Sequence, residues 1–259
     1  MRLARPAVAF AIATLATCAS WNAAGGQDVP ANFPANARPA STAAASPTPV
    51  QATVTFAFAR EGVGAPVPKF TLIVRDDGTG SYEGEALPST TSYGPAAAPS
   101  VAQPFRRDLR ISPATAARIF MLSARLNHFN QVCASKAKNI ADTGTKTLTY
   151  AGADGAGSCT YNYTEIKQLQ TLTEIFEGIA ETMDEGRELD RLHRYDRLGL
   201  DSAMSYLEQQ VAAGRALEVG TIEASLRSIA EDAEVLARVR SKANALLAQI
   251  AAQPDASAR

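Results

Sequence analysis

Residues 70–85 read FTLIVRDDGTGSYEGE. Phe70, Leu72 and Val74 recur with the period of two that sends alternate side chains to opposite faces of a strand. The β-type pattern resumes at Tyr82, after Asp76-Asp77-Gly78-Thr79-Gly80. An Asp-Gly pair between two such runs marks a hairpin, because the reversing turn needs a positive φ that glycine adopts without a Cβ penalty. The alternating oxygen ligands of a calcium loop are absent around these aspartates, which leaves the turn as their reading.

Working outward, VTFAFAR at 54–60 alternates apolar and small residues as a strand does. Residues 86–104 form a Pro/Ala/Ser-rich insertion, after which FRRDLRI at 105–111 re-enters a strand with Phe105, Leu109 and Ile111 apolar. In SPATAARIFMLSARLNHF, residues 112–129, Ser112 is placed as an N-cap and Pro113 at the first helical position. Ile119, Phe120, Leu122 and Leu126 make the apolar stripe of that helix. TKTLTY at 145–150 and SCTYNY at 158–163 flank the Gly-rich turn AGADGAG and form a second hairpin. Thr164 then caps a helix in which Ile166, Leu169, Leu172, Phe176, Ile179 and Met183 recur at helical spacing.

That order predicts an α+β fold: an antiparallel sheet from two hairpins with two packing helices, over residues 53–185. Strand signals stop beyond Gly186. LDRLHRYDRLGL, DSAMSYLEQQVAAG, TIEASLRSIAED and AEVLARVRSKANALLAQI read as short amphipathic helices divided by Gly199, Gly214 and Gly220. They define an all-helical C-terminal subdomain over 186–252, followed by a tail at 253–259.

The chain opens with Arg2 and Arg5 before an apolar run from Ala7 to Thr17, too short to span a bilayer, and then small residues. This is the pattern of a secretory signal peptide, assigned to residues 1–21. Cys18 in LATC stands where a lipobox cysteine would, so a lipid anchor is the alternative to plain cleavage. Residues 22–52 are dominated by Ala, Pro, Ser, Gly and Asn and are expected to be a disordered linker. Export places Cys133 and Cys159, the cysteines left once Cys18 is removed, in an oxidising compartment where they are expected to be bonded.

Lys and Arg total 25 against 26 acids, a formal net charge of −1, which argues against a nucleic-acid partner or a polybasic membrane patch. No further segment is apolar enough to be a transmembrane helix. Arg75, Arg106, Arg107 and Arg110, and the acidic stretch from Glu174 to Asp190, read as solvated faces.

Asp142-Thr143-Gly144 matches the triplet of aspartic proteases, which need two carboxylates sharing one proton. Only one such triplet is present, Asn139 and Lys146 depart from the flanking pattern, and no second half-barrel follows. Asp142 is therefore expected to set a strand entry; the alternative is an Asp-dependent peptidase that uses Asp142 in a homodimer. Of the two histidines, His128 reads as the C-terminal end of a helix or a partly buried core residue, and His193 as surface. No nucleophile elbow, P-loop or clustered Cys/His spacing appears, so no catalytic, cofactor or metal residue is assigned. Tyr150, Tyr161 and Tyr163 lie on the second hairpin, with Tyr150 and Tyr161 as expected cross-strand neighbours. They are the candidate interaction residues, and a small-ligand binder on the sheet is a further alternative.

Gly64-Ala65-Pro66-Val67-Pro68-Lys69-Phe70, followed by Gly78, Tyr82 and Gly84 and later by Asp142, carries a family resemblance. From Val63 to Asp184 the chain resembles bacterial envelope-associated domains of unknown function, whose members open with Gly-x-Cys-Pro-x-Tyr and continue through an Asp-Gly turn to Tyr-x-Gly. Val67 stands at the place of the Cys and Phe70 at the place of the Tyr. The resemblance implies the same α+β fold and no assigned activity. The expectation is an exported, periplasmic or secreted, non-enzymatic interaction module whose partner is an unknown protein or envelope component. The helical C-terminal part is the expected contact surface.

Overall fold

The structure, a computed structural model, describes residues 51–60, 67–87 and 102–252. The expected signal peptide with Cys18, nearly all of the expected 22–52 linker, most of the 86–104 insertion, the Gly64–Pro66 opening and the 253–259 tail lie outside the described residues.

Six strands, β1 (Thr53–Ala59), β2 (Lys69–Arg75), β3 (Thr79–Ala86), β4 (Gln103–Arg110), β5 (Thr145–Gly152) and β6 (Gly155–Tyr161), form one sheet in the order β4-β3-β2-β1-β5-β6. Every pairing is antiparallel. The helices are α1 (Pro113–Arg125), α2 (Lys167–Tyr195), α3 (Leu200–Ala212), α4 (Glu223–Glu231) and α5 (Ala237–Ala252). The fold is α+β with a helical C-terminal region, as the sequence predicts.

The β2–β3 turn forms where the Asp-Gly pair places it. Gly78 takes φ 78° and its amide donates to Arg75 O at 2.9 Å. Asp77 Oδ1 accepts from the Thr79 amide at 2.8 Å, closing the turn locally. Alternation then sends Val54, Phe56, Leu72, Val74, Tyr82, Leu109, Leu148 and Tyr150 to one face, where all are buried together with side chains of α1 and α2. Phe56 stacks on Phe176 of α2 at 5.1 Å between ring centroids. Burying such a side chain contributes about 1.5–3 kcal/mol, which makes these contacts the main support of the sheet–helix interface.

Ser112 caps α1 with Pro113 at its start, as expected, its Oγ accepting from the Thr115 amide at 3.3 Å. A partner from far along the chain completes the cap. Glu218, itself left-handed at φ 56°, accepts from the Ser112 amide at 2.6 Å and from the Ser112 hydroxyl at 2.8 Å.

The helix expected to close the α+β part near 185 continues, without interruption, into the first expected short helix and ends at Tyr195 as a single 29-residue α2. Gly186, read as the end of strand-type sequence, lies inside it. A Cβ there would sit 2.3 Å from Ile222 Cγ2, so the missing side chain is what admits the 3-10 turn Val219–Ile222 against the helix. Thr164 lies just before α2 rather than at its cap position, which Ile166 occupies; the Thr164 hydroxyl accepts from the Ile166 amide at 3.2 Å.

A candidate binding face

With one face of the sheet covered by helices, the register determines what the other presents. Across the six strands one row reads Asp108, Ser81, Ile73, Thr55, Thr149, Ser158, and the next Arg106, Glu83, Thr71, Ala57, Thr147, Thr160. Threonines, Ala57 and Ile73 fill the middle, and charges collect on β3 and β4. Cross-strand hydroxyls bond to one another, Thr147 to Thr160 at 3.0 Å and Thr149 to Ser158 at 2.9 Å. Glu83 is bridged to Arg106 on β4 and accepts from the Ser81 hydroxyl at 3.0 Å. A shallow groove of about 450 Å³ lies at one end of this region, lined by Ala57, Thr71, Glu83 and Thr147 together with Phe58, Phe70 and Phe105.

The tyrosines do not form a platform on that face. Tyr150 and Tyr161 both point into the core, each less than a twentieth exposed. They are not cross-strand neighbours either: Tyr150 pairs with Gly157 and Tyr161 with Lys146, because the turn at Gly152–Gly155 is tighter than the run AGADGAG suggests. The Tyr161 hydroxyl lies 2.6 Å from Thr173 Oγ1 of α2, and burial pushes its pKa up to about 12. Tyr163, beyond the end of β6, is exposed.

The Cys133–Cys159 disulfide is formed, with Cα atoms 5.8 Å apart and both residues buried. Asp142, three residues ahead of β5, is exposed, and its Oδ1 accepts from the Gly144 amide at 2.9 Å. Among the described residues, no second carboxylate is recorded in hydrogen-bonding contact with it. Lys146, which follows, is buried; its Nζ donates to Thr143 O at 3.2 Å and Gly144 O at 3.3 Å. Burial lowers its pKa, and Glu177 at 3.8 Å opposes that shift.

His128 is not in the last turn of α1, but it is partly buried, the other of the two expectations. After α1 the chain passes through three consecutive left-handed residues, Asn127, His128 and Phe129, at φ 52°, 51° and 64°. Such a conformation costs about 1–2 kcal/mol per residue, so tertiary contacts must hold it. Phe129 is fully buried, and the His128 ring stacks on Tyr150 at 4.2 Å. Gly157 lets the His128 carbonyl approach to where a Cβ would stand 2.3 Å away. Asp154 joins the group, accepting from the Tyr150 hydroxyl at 2.5 Å with its other oxygen 3.3 Å from His128 Nε2. Burial pushes the Tyr150 phenol up to about 12, while its hydrogen bond holds the Asp154 carboxyl below its usual range. The glycines of AGADGAG were the one sequence signal for this site, since alternate glycines on a strand mark close backbone approach. His193 is only partly exposed, with Nε2 at 2.8 Å from Asp232 Oδ2.

On α2, burial pushes the Asp184 carboxyl up to about 6. Burial, with the neighbouring Glu181 and Asp184, pushes Glu185 up to about 7. Among the described residues, no group of three or more His, Cys, Asp or Glu side chains is placed to hold a metal, and no helix is long and apolar enough to cross a membrane. Searches with family models, against curated proteins and against solved structures return no match to this chain.

Proposed function

We propose that this chain is an exported, non-enzymatic binding module of the cell envelope and that it engages its partner through the outer face of the sheet. The observation that carries the reading is the composition of that face across the register: threonine and alanine with Ile73 over the central strands, serine and threonine on β6, and a charged margin on β3 and β4. β-branched threonines have few rotamers to lose when a partner settles on them, and each offers a donor and an acceptor. Such a surface binds at low entropic cost. The disulfide suits an oxidising compartment, and the resemblance to envelope-associated domains supports the same location.

The test is co-sedimentation of the purified protein with isolated cell envelopes, with and without protease treatment of the envelopes to tell a protein partner from another component. Ala57→Arg combined with Thr147→Arg crowds the centre of the face without touching the core. The pair is expected to abolish sedimentation while leaving the melting temperature within a few degrees. Unchanged sedimentation would overturn the proposal.

A further inference from the structure

The largest cavity among those described, about 800 Å³, lies between the last turns of α2, α4 and β4, apart from the sheet face. Four guanidinium groups line it: Arg107 from β4, Arg191 and Arg194 from α2, and Arg197 from the loop that follows. Ser225 and Ser228 of α4 add hydroxyls. Two carboxylates share the space, Asp190 and Asp232, and both are engaged. Asp190 is bridged to Arg107. Asp232 is 2.8 Å from His193 Nε2 and 3.2 Å from Arg197, and its carboxyl is held below the usual range, chiefly by the His193 contact.

The remaining cations differ in their freedom. Arg191 is clamped by Glu188 through Nε at 2.8 Å and Nη2 at 2.7 Å, and Arg197 also meets Glu234; neither glutamate lines the cavity. Arg194 has no salt bridge among the described residues, and its guanidinium stands 5.8 Å from the centre of the Tyr195 ring. Arg191 and Arg194 stand three residues apart on α2, so like charges are held side by side, and Arg197 follows in the loop. The carboxylates of the lining do not match the guanidiniums in number, and the space left is polar and open to a ligand.

The geometry points to this cavity as a binding site for a phosphate group. Guanidinium forks match phosphate oxygens in both shape and charge, and the serine hydroxyls supply further donors. The C-terminal end of α2 contributes a partial negative charge that opposes an anion, but it is diffuse, whereas the guanidiniums present directed donors. The phosphate can be carried by a soluble ester or by a lipid headgroup. Tyr195 and Leu198, 73% and 84% exposed at the end of α2 and just after it, would add apolar contact in the second case.

The two sources are separated by titrating the purified full-length protein with pyrophosphate in a calorimeter, and by sedimenting it with vesicles of phosphatidylglycerol or of phosphatidylcholine. Saturable binding of pyrophosphate assigns a soluble ester. Binding to phosphatidylglycerol vesicles alone assigns the lipid headgroup. In either case Arg194→Gln is expected to weaken binding about tenfold or more, the scale of a lost charge-assisted contact, with an unchanged melting temperature. No binding in any arm, equal binding to both vesicle types, or binding that Arg194→Gln leaves intact would overturn the assignment. Ala57→Arg/Thr147→Arg, which alters only the sheet face, is expected to leave this binding unchanged.

Discussion

Asp142 shows how a catalytic triplet can serve as a turn. Its carboxylate is spent on the Gly144 amide at 2.9 Å, and Gly144 takes φ 95° to lead into β5. An asparagine retains the accepting oxygen, so Asp142→Asn is expected to keep nearly full stability, whereas Asp142→Ala should lose about 1 kcal/mol in urea denaturation. Acid peptidase activity in the wild type that vanishes in Asp142→Asn would instead restore the protease reading. The carboxyls of Asp184 and Glu185 bear on pH. Both are raised, from ordinary values of 3.8 and 4.5 to about 6 and about 7, so between those limits the folded chain holds protons that the unfolded chain has released. Stability from these groups is therefore present below about pH 4 and lost as pH rises through 6 and 7. Thermal melts from pH 4.5 to 8 should show that decline, and Asp184→Asn with Glu185→Gln should flatten it.

At the scale of elements, α2 binds the parts of the chain together. One side packs on the sheet through Phe176, and Gly178 and Gly186 receive the segment between α3 and α4, where the Leu217 amide donates to Gly178 O at 3.0 Å. In an isolated helix Gly186→Ala would gain about 1 kcal/mol of propensity. Here the new methyl would stand 2.3 Å from Ile222 Cγ2, and Ile222 is buried, so overpacking of about 1–3 kcal/mol is the larger effect. Denaturation midpoints lower than wild type are expected; a stabilised variant would show that the Val219–Ile222 turn moves aside freely. Glu218 ties the same segment to α1 by capping it from a distance of 106 residues in sequence.

Across the whole molecule, the disulfide joins the strained connection after α1 to the edge strand β6, a closure over a sequence separation of 26. Loop-closure entropy puts its contribution at roughly 3 kcal/mol. Reduction, or Cys133→Ser with Cys159→Ser, is expected to lower stability by about that much and to raise hydrogen exchange first in residues 127–144, where the left-handed turn depends on being held against the hairpin. Uniform protection after reduction would show that the stacking of His128 on Tyr150 suffices by itself.

What the sequence determined alone is what neighbouring residues decide: the Asp-Gly turn, the alternation of β2, the Ser112-Pro113 start of α1, and the composition that sorts strands from helices. These follow from φ preferences and side-chain periodicity, which act within a few positions. Tertiary structure decided the rest. It carried α2 through Gly186, where the local reading ends the α+β part, and the close approach of Ile222 explains the missing side chain. It placed Asn127, His128 and Phe129 in a conformation that their own sterics oppose, and it turned Tyr150 and Tyr161 inward through a hairpin register set by a short turn. The hydroxyl face and the arginine-lined cavity are both assembled from residues far apart in the chain. Their chemistry depends on which strands and helices become neighbours, and the long-range packing of the core is what selects those neighbours.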